Sequence, residues 1–488
     1  MAAPRRRSER RPIIFLVAAI LLSLHVIWQT WLVLAAPYPA HYDYDEGVYA
    51  ETAAAAAAGH RLYASVFLSQ PPLLIGMLAR AFGAFGESLA SARGVVAGCS
   101  LLWLAGIAAI AARGAHSRAA LWAIAIAGSA PAFVAASHAV QMEGPSEAFA
   151  AAAVALGAVT GTGRAMRGTA GSIETLRWGT AGVAAGLAIM TKFTAATCLV
   201  PLAVAAVAAG PVGLGRLTAR AVALAAGGVL AAGAAMVWTG SPPAEMWRQT
   251  VAFHGAVARV NAVDPGRTVS LLLAFAAANW FLAALGLAGF VYTALTWRGS
   301  APARRGVAAW LAADLAALFL WRPVWPHHFV ILVTPLAVAG SAAVEARLRG
   351  TPRVRSAVAG ILLIAWLAAL ATAAAVSGPS ASAPLRAAAR QTARSVPAGA
   401  WVLSDDPMVP FLAGRDVPPA LCDTSEMRMR AGWLTAGALT AALAEPRVRG
   451  VALWRGTFRE SFPQFVDEAL REFPRRWTAD GGRLILTR

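Results

Sequence analysis

Charge is what this chain has least of. Asp, Glu, Lys and Arg make up 14% of its 488 residues, against roughly 25% in soluble domains. With 58% hydrophobic residues, that shortage excludes an ordinary soluble enzyme. Cysteine is also nearly absent. Cys99 and Cys198 lie in apolar stretches and Cys422 stands alone, so neither a disulfide framework nor a cysteine zinc cluster is readable. Lysine occurs once, as Lys192. A Gly-rich phosphate loop, a nucleophile elbow, a Ser-His-Asp order and an HExxH-like metal signature are all missing, so none of those chemistries is indicated.

What the chain has instead is long apolar blocks, such as 13–34, 221–238, 271–295 and 357–376, each near the ~20 residues that cross a bilayer. Spans are expected at 12–36, 92–112, 119–137, 147–163, 179–191, 195–212, 219–240, 268–296, 306–321, 329–346 and 356–376, about 11 transmembrane helices in all. Arginines cluster at every second link: 5–11, 113–118, 164–177, 216–220, 298–305 and 347–355. Positive charge is retained on the cytoplasmic side, so the N-terminus is placed inside and the chain in the plasma membrane. The net charge of +18 therefore reads as topology rather than nucleic-acid binding, for no basic stripe interleaved with aromatics accompanies it. The first apolar run is longer than a signal-peptide core and leads into an acidic loop, which favours an uncleaved first span.

The fold expected is thus an α-helical polytopic membrane domain over 1–380, followed by a small extracytoplasmic α/β domain over 381–488. In the second part, strands are expected at 401–404, 419–422, 451–454 and 484–487, and helices at 385–395, 435–444 and 463–473. The outer links hold Asp43, Asp45, Glu46, Glu51, Glu143, Glu245 and Asp264. The longest outer link before the tail, 37–91, carries two short helical stretches, 45–58 and 72–85, which suit helices lying along the membrane surface. The first of them puts Asp45 and Tyr49 on one face, four residues apart.

Three acids just beyond the first span, Asp43, Asp45 and Glu46, have no basic neighbour in sequence. They suit a helix N-terminus, and they equally suit a carboxylate that takes a proton from an acceptor hydroxyl. The stretch His41-Tyr42-Asp43-Tyr44-Asp45-Glu46-Gly47-Val48-Tyr49-Ala50-Glu51 resembles the Asp-Glu motif in the first outer loop of glycosyltransferase family 39. That family holds the protein O-mannosyltransferases and aminoarabinose transferases of the GT-C superfamily. Gln70-Pro71-Pro72-Leu73-Leu74 resembles its Lys-Pro-Pro-Leu motif, Ala92-Arg93-Gly94-Val95 its Ala-Arg start of the next span, and Gly186–Lys192 its Gly-Leu…Thr-Lys signature.

The resemblance implies a GT-C fold and inverting transfer of a sugar from a polyprenyl-phosphate donor at the outer membrane face. It makes Asp45 the catalytic base and Glu46 its partner, with Glu143 in the place of a second acid, one methylene longer. Tyr49, Gln70 and Arg93 become substrate-binding positions, although Gln70 replaces the family's cation and cannot neutralise a phosphate. Lys192 can serve a leaving phosphate or simply snorkel to the interface. Arg322, His327 and His328 can do the same, or form an aromatic-and-basic interfacial belt. No cofactor is required and no metal ligands are assigned. Carboxylates with histidines leave room for a divalent metal, but adjacent histidines are not expected to converge on one ion. Asp405-Asp406 reads as a cap at a strand end, and Asp314, inside a span, as a partner for another buried polar group. The expected partners are the polyprenyl-phosphate sugar, membrane lipid and an unidentified acceptor. Two other classes fit the composition: a lipid-linked-sugar transporter or flippase, and a noncatalytic membrane assembly protein presenting its C-terminal domain.

Overall fold

A computed structural model describes residues 44–114, 117–157, 170–208, 213–347 and 383–488, with positions 24, 25, 27, 360, 361, 364, 367 and 368. The expected spans at 12–36 and 356–376 lie outside the described residues apart from those isolated positions, as does Asp43. Both helices expected in the 37–91 loop are present, at Tyr44–Ala57 and Leu73–Phe85. The first is an alanine-rich run of strong helix formers whose opening turn carries Asp45 and Glu46, where the helix dipole favours negative charge. The chain leaves it through Gly59 at φ 93°, a backbone state open to glycine. Pro71 and Pro72 precede the second helix, where a missing N–H costs nothing.

The chain is a multi-pass membrane protein. Among the described residues, three helices are long and apolar enough to cross a bilayer: Leu89–Gly114, Leu214–Thr239 and Pro326–Arg347. The span expected at 268–296 is instead two helices, Pro265–Ala278 and Trp280–Leu295, bent by 104°. The break falls at Asn279, which accepts the Ala132 N–H through its side-chain oxygen at 2.9 Å and donates to the Phe275 carbonyl. A polar amide that tethers a neighbouring segment competes with straight propagation of the helix.

Small residues draw the helices together. A Cβ on Gly182 would collide with Leu224 backbone, and one on Gly227 with Gly179 backbone, so Ala170–Thr191 and Leu214–Thr239 nearly touch. Leu89–Gly114 packs on Glu143–Gly157 at Gly106 and Ala151, around a core that includes Trp103, Phe133 and Trp310. The long helix also separates charge. It begins beside Arg93, which pairs with Glu46, and ends at Arg113 and Gly114, the latter facing Arg304. Twenty residues of rise put those ends roughly 30 Å apart.

The C-terminal part is a four-stranded mixed sheet of order β1-β2-β4-β3. β1 (Trp401–Ser404) runs parallel to β2 (Val448–Leu453); β4 (Arg483–Thr487) is antiparallel to both β2 and β3 (Arg475–Ala479). Three of the expected strands and all three helices are there. The strand expected at 419–422 is a 3-10 turn, Pro419–Leu421, because Pro418 and Pro419 carry no N–H for a ladder. β3 was not expected: it is an edge strand with Arg475 and Arg476 exposed, and its charge hides the alternation that marks a half-buried strand.

This sheet domain sits directly on the first helix. The Tyr44 hydroxyl accepts the Thr424 N–H at 2.9 Å. Phe82 stacks on Phe411 at 6.0 Å, and one apolar core runs from Val48 and Leu74 to Val402 and Met408. A Cβ on Gly47 would come within 2.6 Å of the Met408 nitrogen, so only glycine permits that approach. Asp406 caps the next turn, accepting the Met408 N–H at 3.1 Å, as expected of a strand-end acid.

Burial raises the Asp406 carboxyl from its ordinary 3.8 to about 6. Between those values the folded chain holds a proton that the unfolded chain has released. Its stabilising effect is therefore complete below the lower value and lost as pH rises through the upper one. Asp406→Asn is expected to flatten this part of the pH dependence of the thermal midpoint, and to raise the midpoint at pH 7.5. A variant whose midpoint tracks the wild type across pH 4–7 would contradict this.

Candidate active site

The first turns of the Tyr44–Ala57 helix present Tyr44, Asp45, Val48 and Tyr49 to a cavity of about 470 Å3. Spacings of three and four residues put these side chains on one helical face. The opposite wall comes from the segment after the Pro302–Leu320 helix, which supplies Arg322, Trp325, His327 and His328. Ser69 and Gln70 close one side, with Phe253 and His254 following a π-helical turn at Arg248–Ala252. Lys192 enters from the end of Ala170–Thr191, where the backbone becomes extended (φ −154°, ψ 128°) and redirects the chain. The sheet domain completes the cavity with Asp423, Ser425 and Arg455. Seven of the ten residues singled out from sequence therefore line one space: Asp45, Tyr49, Gln70, Lys192, Arg322, His327 and His328.

Glu143 lies just behind this wall, 3% exposed. The Lys192 ammonium donates to its carboxylate, and the His327 Nε2 stands 3.6 Å from the same oxygen. That imidazole is also 4.0 Å from the Asp45 carboxylate, so it bridges the space between the two acids. Lys192 does not snorkel away: it is 6% exposed and held in a buried ion pair. Gln70 has its backbone carbonyl fixed by the Tyr63 hydroxyl at 2.6 Å, and its side-chain nitrogen lies 3.5 Å from His254.

Glu46 and Arg93 are elsewhere. They form a two-pronged pair, Nε and Nη2 each 2.8 Å from a carboxylate oxygen, and each side chain is 2% exposed. Glu46 also accepts the Val140 N–H at 3.0 Å. Neither residue borders the cavity. Together they bolt the first helix to Leu89–Gly114 and to the chain preceding Glu143, which fixes where Asp45 points.

Glu143, His327 and His328 have ligand atoms within 4.8 Å of one another, so the adjacent histidines do converge, contrary to expectation. The two imidazole rings have centroids 4.7 Å apart at the start of the turn Pro326–Leu332. These three could hold a metal ion. Asp314 is fully buried within electrostatic reach of Glu147, which itself accepts from the Thr334 hydroxyl at 2.9 Å.

His254, Asp423 and Arg455 also line the cavity, and no motif in the sequence points to them. His254 carried a signal, an imidazole in an outer link. Arg455 and Asp423 carried none, because only docking of the sheet domain brings them to Tyr44.

Residues 69–238 match the family described as dolichyl-phosphate-mannose-protein mannosyltransferase, so the resemblance to glycosyltransferase family 39 holds on this stretch. Over nearly its whole length the chain shares its fold with a solved structure. The structure of ArnT from Cupriavidus metallidurans bound to undecaprenyl phosphate is similar over 96% of this chain and 97% of that one, with TM-score 0.69 and 16% identity. The oligosaccharyltransferase AglB from Archaeoglobus fulgidus, in complex with an inhibitory peptide and a dolichol-phosphate, is similar over 89% of this chain and 69% of its own, with TM-score 0.55 and 14% identity. Another structure of the Archaeoglobus fulgidus oligosaccharyltransferase, in complex with Zn and sulfate, covers 88% and 67% at TM-score 0.54 and 17% identity. No curated protein matches the chain.

Proposed function

We propose that this protein transfers a sugar from a polyprenyl-phosphate donor to an acceptor hydroxyl at the extracytoplasmic face of the plasma membrane. One observation carries the reading: Asp45, Lys192, Arg322 and His327 share a single cavity, formed where the helical bundle meets the sheet domain. The lipid tail would remain in the bilayer while the sugar-phosphate reaches Asp45. The matched ArnT structure holds undecaprenyl phosphate, which supports this donor class. The arginines at the opposite end of Leu89–Gly114 argue that the cavity end faces out.

In this scheme the acceptor oxygen attacks the anomeric carbon as the carbon–oxygen bond to phosphate breaks. The acceptor proton passes to Asp45, and the bonding pair leaves on polyprenyl phosphate. Attack opposite the leaving group inverts the anomeric centre. Arg322 stabilises the phosphate by charge-assisted hydrogen bonds. Lys192 holds Glu143 ionised beside His327, and His327 orients Asp45. Tyr49 and Gln70 position the sugar or its acceptor, and Glu46 with Arg93 hold the first helix in place. The scheme needs no metal. Glu143, His327 and His328 are the residues that would hold a divalent ion, with Lys192 competing for the Glu143 carboxylate.

The test is product analysis. Purified protein is incubated with a panel of labelled polyprenyl-phosphate sugars and candidate protein, lipid and polysaccharide acceptors. Release of free polyprenyl phosphate together with a glycosylated acceptor is expected. Movement of intact donor across a liposome bilayer without bond cleavage would instead indicate a flippase.

A further inference from the structure

We infer that Arg455, from the sheet domain, is a second ligand for the donor's phosphate, so that the C-terminal domain completes the substrate site; this rests on the function proposed above. Most charged groups around the cavity are already engaged. Lys192 is engaged by Glu143, Glu426 by Arg430 at 3.4 Å, and Asp45 faces His327. Asp423 accepts the N–H of Ser425 at 2.8 Å. The guanidinium groups of Arg322 and Arg455 line the same cavity with no carboxylate at ion-pair distance among the described residues. They come from different domains and are both exposed.

Arg455 is also held in place rather than hanging free. Its loop hangs on the fully buried Asp405, which accepts three consecutive N–H groups: Trp454 at 2.5 Å, Arg455 at 3.0 Å and Gly456 at 2.8 Å. Gly456 takes the left-handed backbone (φ 84°) that the turn requires. A carboxylate engaged by three backbone donors has little capacity left for a guanidinium. Asp406, the next acid, is turned toward Met408. The Arg455 side chain then lies 4.2 Å from the Tyr44 ring centre, one residue from Asp45. A cation stacked on an aromatic face keeps its N–H fork edge-on and available, which suits a phosphate oxygen arriving beside the base. Gln70, in the same cavity, can donate a hydrogen bond but adds no charge.

The measurement uses the full chain in nanodiscs of neutral lipid. Binding of polyprenyl phosphate is followed against two controls, the dephosphorylated polyprenol and inorganic phosphate, and steady-state transfer is recorded in parallel. Loss of one charged hydrogen-bond donor is expected to weaken polyprenyl-phosphate binding roughly tenfold to a hundredfold in Arg455→Gln. The donor KM should rise by a similar factor while kcat at saturating donor holds within a few-fold. Arg455→Lys, which keeps the charge without the planar fork, should fall between the two, and it serves as the test should the Gln variant not fold. Wild-type affinity and donor KM in the folded variants would overturn the assignment while leaving the proposed function standing. Wild-type protein that prefers neither phosphate nor its lipid over polyprenol would overturn both. Asp45→Asn, by contrast, should bind polyprenyl phosphate normally and fail in transfer.

Discussion

Asp45→Asn is expected to lower sugar transfer by roughly 10²- to 10⁴-fold, the contribution of a positioned general base. The amide keeps the size and one acceptor oxygen of the carboxylate but cannot take up the acceptor's proton. Asp45 borders the cavity and is 34% exposed at its side chain, so the substitution removes little packing and should leave the thermal midpoint close to wild type. The check is transfer of a labelled sugar in membranes with equal expression, read as donor-derived label on the acceptor. Undiminished transfer would remove Asp45 from the chemistry and shift attention to Glu143, the other carboxylate near His327.

The second large effect is expected on stability. Arg93→Met leaves Glu46 buried with a single N–H partner from Val140 in place of a two-pronged ion pair. Breaking one side of a buried pair costs about 3–5 kcal/mol, most of it the penalty of an uncompensated charge. That is a large share of the stability of a typical domain, about 5–15 kcal/mol. Arg93→Met should therefore reduce the yield of monodisperse protein and lower its thermal midpoint in mild detergent. The double variant Arg93→Met with Glu46→Leu should recover part of the loss, because no buried charge remains. Equal midpoints for Arg93→Met and wild type would show that the pair does not secure the first helix. The two experiments separate the adjacent acids: Asp45 should matter for turnover with the fold intact, and Glu46 for the fold itself.

That separation was only half legible in the sequence. Asp45 and Glu46 are neighbours at a helix start, and a helical turn sends adjacent side chains about 100° apart. One was bound to face the cavity and the other the bundle, but nothing local says which. Arg93 decides it, from 47 positions away. The motif match marks Glu143 as a second acid of the site, yet its pairing with Lys192 depends on how two helices end beside each other. The edge strand at 475–479 was missed because arginines occupy it, and the broken span at Asn279 because hydropathy averages over one polar amide.

By itself the sequence determined the class of molecule, the alternation of basic and acidic links, the first helix with Asp45 and Tyr49 on one face, and most elements of the C-terminal sheet. These are properties of composition and short-range periodicity, which each segment carries alone. Only the tertiary structure decided that Lys192 is bound to Glu143, that His327 and His328 converge beside it, and that the C-terminal domain places Arg455 over Tyr44. Such contacts join residues up to several hundred positions apart. Burial selects them, because a charge withdrawn from water must meet a partner brought to it by the packing of other elements.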